Sequence, residues 1–459
     1  METQNLIYEN AYTTGFTTDQ ALYRLCRTHI KVTLLLLLTL LVGLSSMVRA
    51  EEVTAEPAGD KVIDLDHMIA LAIENNPSLV AMQNAARAKE AAISPARTLP
   101  DPMFQTGIRN ARASDLAINR EPMSGIEFML SQKVPYPGKL RLHGDIAARE
   151  AEIADMQYQD MVLMVKAQVK TAYYDLWEAE RALEVIDLTD RSLQDMEKIA
   201  ETKYSVGSGI QQDVIKAQVE RSKLIDSRLM WQRKKESAKI ALNEALGLPP
   251  QSPLGRTSKL EKVDYKMSLD ELTEQALQTQ PQYLQAQTSL ERARSVNALA
   301  VKELRPDFTF GLGYMLRYQL PDMPKSGADL VSATVAINLP IYAKRKQKKQ
   351  IEATEYSIEM ARANSDDVKN TIASRLGDLL AKSERDSRQT ELYGGGIIPQ
   401  AQLAYESSRA GYQVGKVDFL SMLDAQTKLY HYQLDYDSAL ASYYRTLTMI
   451  ERTAGVNIF

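Results

Sequence analysis

"RPDFTFGLGYMLRY", from Arg305 to Tyr318, decides the fold. Phe308, Phe310, Leu312, Tyr314, Leu316 and Tyr318 share one parity, and Thr309, Gly311, Gly313, Met315 and Arg317 share the other. Period two means a strand with one apolar face and one small or polar face. Three more runs of this kind occur. Phe104, Thr106 and Ile108 share a parity, as do Ile126, Phe128 and Leu130, and then Val331, Ala333, Val335, Ile337 and Leu339. Strands are therefore predicted near 102–112, 124–134, 307–318 and 329–339, joined in pairs across the loop-like "ARASDLAINREP" and "QLPDMPKSGAD" as two hairpins.

The rest of the chain is helical in pattern and is written twice. "LDHMIALAIENNPSL" (Leu65 to Leu79) matches "LDELTEQALQTQPQYL" (Leu269 to Leu284), with Pro77 against Pro281, 204 residues on. "YSVGSGIQQDVIKAQ" (Tyr204 to Gln218) matches "YQVGKVDFLSMLDAQ" (Tyr412 to Gln426), 208 on. "LPDPMF" near Pro100 answers "LRPDFTF" near Pro306, and "VPYPGK" answers "LPIYAK". A period this long means a duplicated, domain-sized unit rather than a solenoid. The halves span residues 61–250 and 267–459, joined by a Pro, Ser and Lys-rich linker at 251–266.

In each half a capped helix comes first, with "SLDE" at Ser268 in capping-box spacing and Asp64 as the cap of the first half. After each hairpin a very long helix begins. Lys139 to Tyr204 contains no proline and one glycine, which allows an unbroken helix of about 100 Å. Its counterpart from Tyr342 is interrupted by Gly394, Gly395, Gly396 and Pro399, where a break or bulge is expected. Each long helix turns at Val206-Gly207 or Val414-Gly415 and is followed by a returning helix.

Before the first half lies "VTLLLLLTLLVGLSSM", from Val32 to Met47, preceded by Arg24, Arg27 and Lys31. It is shorter than the roughly 20 residues of a bilayer-spanning helix and small residues follow it, so residues 1–50 read as a secretory signal with a long N-terminal extension, cut after Ala50. The one cysteine, Cys26, lies upstream of that cut, so a mature chain has no thiol chemistry.

Strands of about ten residues suit the 9 to 11 of a tilted bilayer-crossing strand. Four of them cannot close a transmembrane barrel, and an open edge in lipid leaves backbone groups unpaired. Copies of the chain must complete the wall, with two copies giving eight strands and three giving twelve. The helices are too charged for lipid and suit a water-filled tube continuing the barrel. With 55 basic and 59 acidic residues, nothing argues for nucleic acid. There is no nucleophile elbow, phosphate-cradling glycine loop or clustered His and carboxylate set, so no enzyme, cofactor or metal site is expected. The methionines, such as Met156, Met161 and Met164, stand at helical spacing and read as packing, and the four histidines are scattered. "KRKQKK", Lys344 to Lys349, follows the fourth strand where a membrane boundary falls.

On "ALAIENNPSL", "QKVPYPGKLR", "RPDF" and the two Y-x-V-G turns with "AQ" following, the chain resembles the TolC-type outer-membrane efflux factors of Gram-negative bacteria, over about Lys61 to Gly455. "DPMF", "EPMSG" and "PYPGKL" are more similar to its heavy-metal branch. The resemblance implies a mainly α protomer that contributes four strands to a trimeric, twelve-stranded membrane barrel above a duplicated α-helical barrel. It implies a passive exit duct in the outer membrane with a large periplasmic portion. The implied partners are two identical copies, outer-membrane lipid, a periplasmic adaptor and an inner-membrane pump of the resistance-nodulation-division type. Heavy-metal or drug efflux follows as the function, with type I secretion or a periplasmic coiled-coil scaffold as alternatives.

The resemblance also puts the periplasmic tip at the helix turns, with Val206, Gly207, Val414 and Gly415 docking the adaptor. Asp213 and Tyr412 match a latch pair of the closed gate and Asp424 an aspartate lining its constriction. The family's second aspartate is Ser421 in this chain, and the latch arginine falls on Val417, with Lys416 beside it.

Overall fold

A computed structural model describes residues 62–114, 117–118, 121–320 and 327–458. The expected signal segment, residues 1–50, lies outside them. The first half runs α1 (Leu65–Asn75), α2 (Pro77–Ala91), α3 (Ile93–Arg97), β1 (Met103–Arg109), β2 (Gly125–Val134), α4 (Lys139–Ser205) and α5 (Gln211–Ala245). In the second half come α6 (Leu269–Thr279), α7 (Pro281–Lys302), β3 (Phe308–Arg317), β4 (Leu330–Ile337), α8 (Gln347–Leu392), a π-helical turn at Tyr393–Ile397, α9 (Ile398–Gln413) and α10 (Phe419–Ala454).

Local chemistry accounts for the helix boundaries. The Ser268 Oγ accepts from the Glu271 N–H at 3.2 Å and Glu271 Oε2 accepts from the Ser268 N–H at 2.9 Å, closing the capping box of α6. Asn76 and Gln280 are extended, as residues before proline tend to be, and Pro77 and Pro281 then open α2 and α7, where a missing N–H costs nothing. α4 runs unbroken for 67 residues, about 100 Å. In the second half the glycine-rich stretch produces a bulge rather than a break: Pro399 has no N–H for the carbonyl four residues back, and the wide turn absorbs the lost bond without ending the helix.

The four strands form a single antiparallel sheet in the order β1-β2-β3-β4. The two hairpins are thus fused, because β2 of the first half pairs with β3 of the second from Gly125 opposite Arg317 to Val134 opposite Phe308. β1 and β4 are shorter than the stretches read from the pattern, at 7 and 8 residues. Both are edges with one neighbour, and a ladder ends sooner where only one side is bonded. β1 stops at Asn110, whose φ is 55°, and β4 stops at Asn338, whose side chain is turned to accept the Asp307 N–H.

Two apolar clusters lie along the helices. One gathers Val169, Tyr173, Tyr174 and Trp177 of α4 with Leu242 of α5, Leu272 of α6, Leu376 of α8 and Tyr444 and Leu447 of α10. The other joins Ile186, Leu193 and Met196 of α4 to Trp231, Tyr412, Phe419 and Met422. The linker at 251–266 is pinned across the first cluster: the Tyr173 hydroxyl meets Ser258 Oγ at 2.8 Å, the Tyr443 hydroxyl donates to the Val263 carbonyl at 2.8 Å, and Glu180 accepts from both the N–H and the hydroxyl of Thr257.

Candidate functional site: a lipid-facing sheet and a helical tip

One layer across the sheet reads Thr106, Phe128, Tyr314, Val331, and the next reads Phe104, Leu130, Leu312, Ala333. All four alternating runs therefore put their apolar residues on one face. That face is uncovered: Phe104, Leu130, Leu312, Val331 and Val335 are each more than half exposed. On the opposite face the rows are Met103, Ser131, Gly311, Thr334 and Gln105, Met129, Gly313, Ser332. Apart from the flexible thioethers of Met103 and Met129 they are small or polar, and a side chain at Gly311 or Gly313 would strike the hydroxyl of Thr334 or Ser332. An outward apolar band, an inward polar surface and two unpaired edges form a segment of barrel wall. Among the described residues no helix is long and apolar enough to cross a membrane.

At the other end of the helices the two turns are near copies. Val206 and Val414 have φ of −93°. Gly207 and Gly415 follow at φ of 74° and 76°. In each, the next N–H reaches back into the helix, Ser208 to the Lys203 carbonyl and Lys416 to the Gly411 carbonyl, both at 2.9 Å. Left-handed residues at these places close the helix ends and need glycine. The second turn carries one extra cap, because Asp418 accepts from the Ser421 N–H at 2.8 Å and from its hydroxyl at 3.0 Å. Ser421, which stands where the resemblance puts a second aspartate, is thus occupied in capping α10.

The fold brings Asp213 and Tyr412 together. The Tyr412 hydroxyl donates to Asp213 Oδ2 at 3.2 Å, from the end of α9 to the first turn of α5. Its ring is buried, edge-on to Phe419 at 5.5 Å. Burial and the neighbouring Asp213 carboxylate push the phenol up to about 12. Above the same ring, at 4.6 Å, lies the ammonium of Lys203 from α4, a cation over an aromatic face. The pattern offered no pointer to Lys203, whose counterpart in the second half is Gly411; only the packing of α4 beside α9 reveals it. Val417, at the place of the latch arginine, presses on α9 instead: a Cβ on Gly411 would come within 2.5 Å of its Cγ2. Asp424 is not part of this cluster. It is exposed on α10 and pairs with Lys428 one turn on, at 2.7 Å.

A family model described as outer membrane efflux protein matches the chain twice, over residues 68–248 and 272–456. The chain is 23% identical to the cobalt-zinc-cadmium resistance protein CzcC of Cupriavidus metallidurans, covering 86% of this chain and 90% of that protein. It is 24% identical to the outer membrane protein TolC of Vibrio cholerae, covering 83% and 88%. Among solved structures, CusC superposes with a TM-score of 0.73 at 17% identity, covering 88% of this chain and 96% of that one.

Proposed function

The chain belongs to the outer membrane efflux protein family, and from that premise we propose that three copies close a twelve-stranded barrel and a helical tunnel that serve as the exit duct of a tripartite efflux pump. It is an outer-membrane channel protein with a large periplasmic portion. The observation that carries the duct reading is the sheet: its apolar face is uncovered, its other face carries small and polar residues with a few methionines, and both its edges are open. Four strands cannot seal a cylinder, and three sets of four give an even-numbered barrel.

The helical tip, at Val206, Gly207, Val414 and Gly415, receives a periplasmic adaptor, which joins the duct to an inner-membrane pump of the resistance-nodulation-division type. Export of heavy-metal cations is favoured by the likeness to CzcC across nearly its whole length. A strain lacking this chain then becomes sensitive to cobalt, zinc or cadmium and regains resistance on complementation. Sensitivity to drugs alone moves the assignment to drug efflux.

Asp213, Tyr412 and Asp424 are gate residues in this reading. The hydroxyl of Tyr412 holds α9 to α5 through Asp213, and Lys203 brings a positive charge over the Tyr412 ring in a latch whose family arginine is Val417 in this chain. In planar bilayers Asp213→Ala is expected to raise mean single-channel conductance over the parent protein. Unchanged conductance refutes the latch.

A further inference from the structure

The basic run "KRKQKK", Lys344 to Lys349, is more than the fold itself asks for. The passage from sheet to long helix is built twice, and "VPYPGK" set on "LPIYAK" matches Lys139 to Lys344, 205 residues on. In the first half that lysine is almost wholly buried and forms a clamp. Its ammonium donates to Asp307 Oδ1 at 2.7 Å and to the Arg305 carbonyl at 3.2 Å. The residues after it, "LRLHG", carry a single arginine and a histidine. In the second half "RKQKK" follows instead, and Lys344, Arg345, Lys346, Lys348 and Lys349 are all exposed. No acidic residue occurs between Asp329 and Glu352. Lys349 pairs with Glu352 at 2.5 Å, and the other four cations have no ionic side-chain partner among the described residues. Like charges crowded in this way repel one another, a cost that the first half avoids.

The residues before the run show where it lies. The outward stripe of β4, Val331, Ala333, Val335 and Ile337, continues at the same parity through Leu339 and Ile341 after the ladder has ended. Ile341 and Tyr342 are 75% and 72% exposed. Backbone bonds then fold the segment tightly. The N–H groups of Arg345 and Lys346 both reach the Tyr342 carbonyl at 3.0 Å, and the Lys348 N–H reaches the Ala343 carbonyl at 2.9 Å. An apolar stripe, an aromatic ring and a knot of cations therefore follow one another from the sheet towards the long helix α8. Hydrocarbon, interface and phosphate follow in the same order across one leaflet of a bilayer. Because α8 leaves the sheet at this end, that leaflet is the periplasmic one.

We propose that residues 339–349 form a docking strap for anionic phospholipid of the periplasmic leaflet, such as phosphatidylglycerol. Leu339, Ile341 and Tyr342 lie against its acyl chains and glycerol backbone, and Arg345, Lys346 and Lys348 hold its phosphate. The strap rests on the outer-membrane reading and deepens it by naming a lipid class. Charge complementarity selects that class, since a zwitterionic headgroup carries an ammonium of its own and gains far less from the same cations. The uncovered apolar and aromatic residues beside the cations favour a lipid over an acidic protein met in water.

The test uses the full chain, purified from membranes in mild detergent. Its thermal dissociation is followed as phosphatidylglycerol or phosphatidylethanolamine with the same acyl chains is added. Phosphatidylglycerol is expected to stabilise at a concentration on the order of tenfold lower. R345Q/K346Q/K348Q is expected to respond to the two lipids alike. K369Q/R375Q/K382Q, which removes three exposed cations further along α8, is expected to keep the preference of the parent. With the parent protein itself, about 1 M salt is expected to cancel the preference, because it screens exposed charges beyond about 3 Å. Glycerol 3-phosphate, which has no acyl chains, is expected to give no shift. Equal response of the parent to both lipids, or a preference that survives the triple substitution or the salt, overturns the strap. A shift from glycerol 3-phosphate as large as that from the lipid overturns the lipid as its occupant. Either failure in a chain that fractionates with the outer membrane leaves the membrane reading standing, whereas fractionation with soluble periplasmic contents sinks both.

Discussion

Asp437 shows how a single carboxylate on a helix face is conditioned by its surroundings. It is buried on α10, and Arg181 Nε of α4 approaches only to 3.6 Å. Loss of water outweighs that partial pairing, with Glu184 and Glu178 adding repulsion, and the carboxyl is pushed up to about 6. A folded-state value above the ordinary one means that the fold holds the proton more tightly than the unfolded chain does. This group therefore weakens the fold above about pH 6, and the penalty fades as pH falls from about 6 towards 4. Asp437→Asn removes a charge whose burial costs on the order of 3 kcal/mol. Its melting temperature is expected to exceed that of the parent at pH 8 and to converge with it near pH 4. Equal melting at both pH values refutes the account. At the tip, Tyr412 illustrates a group kept neutral: burial and the nearby Asp213 carboxylate raise the phenol's pKa and keep its hydroxyl a donor to Asp213.

Among the elements, β2 and β3 carry the join between the halves, and their start is sterically exacting. A Cβ on Gly125 would lie 2.3 Å from the Leu316 carbonyl oxygen, a backbone atom that cannot rotate away, whereas a Cβ on Gly107 of β1 would meet nothing within 4 Å. Gly125→Ala is therefore expected to lower barrel stability by about 1–3 kcal/mol, the usual cost of overpacking. Gly107→Ala is expected to cost less, since no backbone atom of its own chain lies within 4 Å of the added carbon. Thermal dissociation in detergent compares the two; equal behaviour refutes the steric reading. In the long helices the halves differ: α4 is continuous, while its counterpart carries the π-helical turn at Tyr393–Ile397. From Lys139 to Tyr204 and from Lys344 to Tyr412 the spacing grows from 205 to 208 residues between matched positions, so the second half holds three extra residues, and the wide turn takes up part of them.

For the molecule as a whole, the environment on the two faces of the sheet sets what each tolerates. Leu312 sits at the middle of β3 on the outward face, and Ser332 of β4 points the other way. A lysine in place of Leu312 is expected to destabilise the barrel by about 2–4 kcal/mol, the cost of a charge at the bilayer midplane. Ser332→Lys is expected to assemble normally and to shift ion selectivity towards anions. Outer-membrane yield and single-channel reversal potentials distinguish them, and equal yields would mean that this face does not meet lipid.

What the sequence determined by itself was whatever repeats at short range. Alternation at 308–318 assigned every strand residue to its face, because the strand period is two whatever the strand pairs with. The unbroken run after Lys139 gave the long helix, and the Y-x-V-G turns gave the ends of α4 and α9, because capping and glycine conformation are decided within a few residues. Tertiary structure alone decided the rest. The β2–β3 join, the linker held by Tyr173 and Tyr443, the Lys139–Asp307 clamp and the placing of Lys203 over Tyr412 each link residues 85 to more than 200 positions apart. No local periodicity encodes such contacts; they arise when helices about 100 Å long pack side by side and bring distant side chains level with one another.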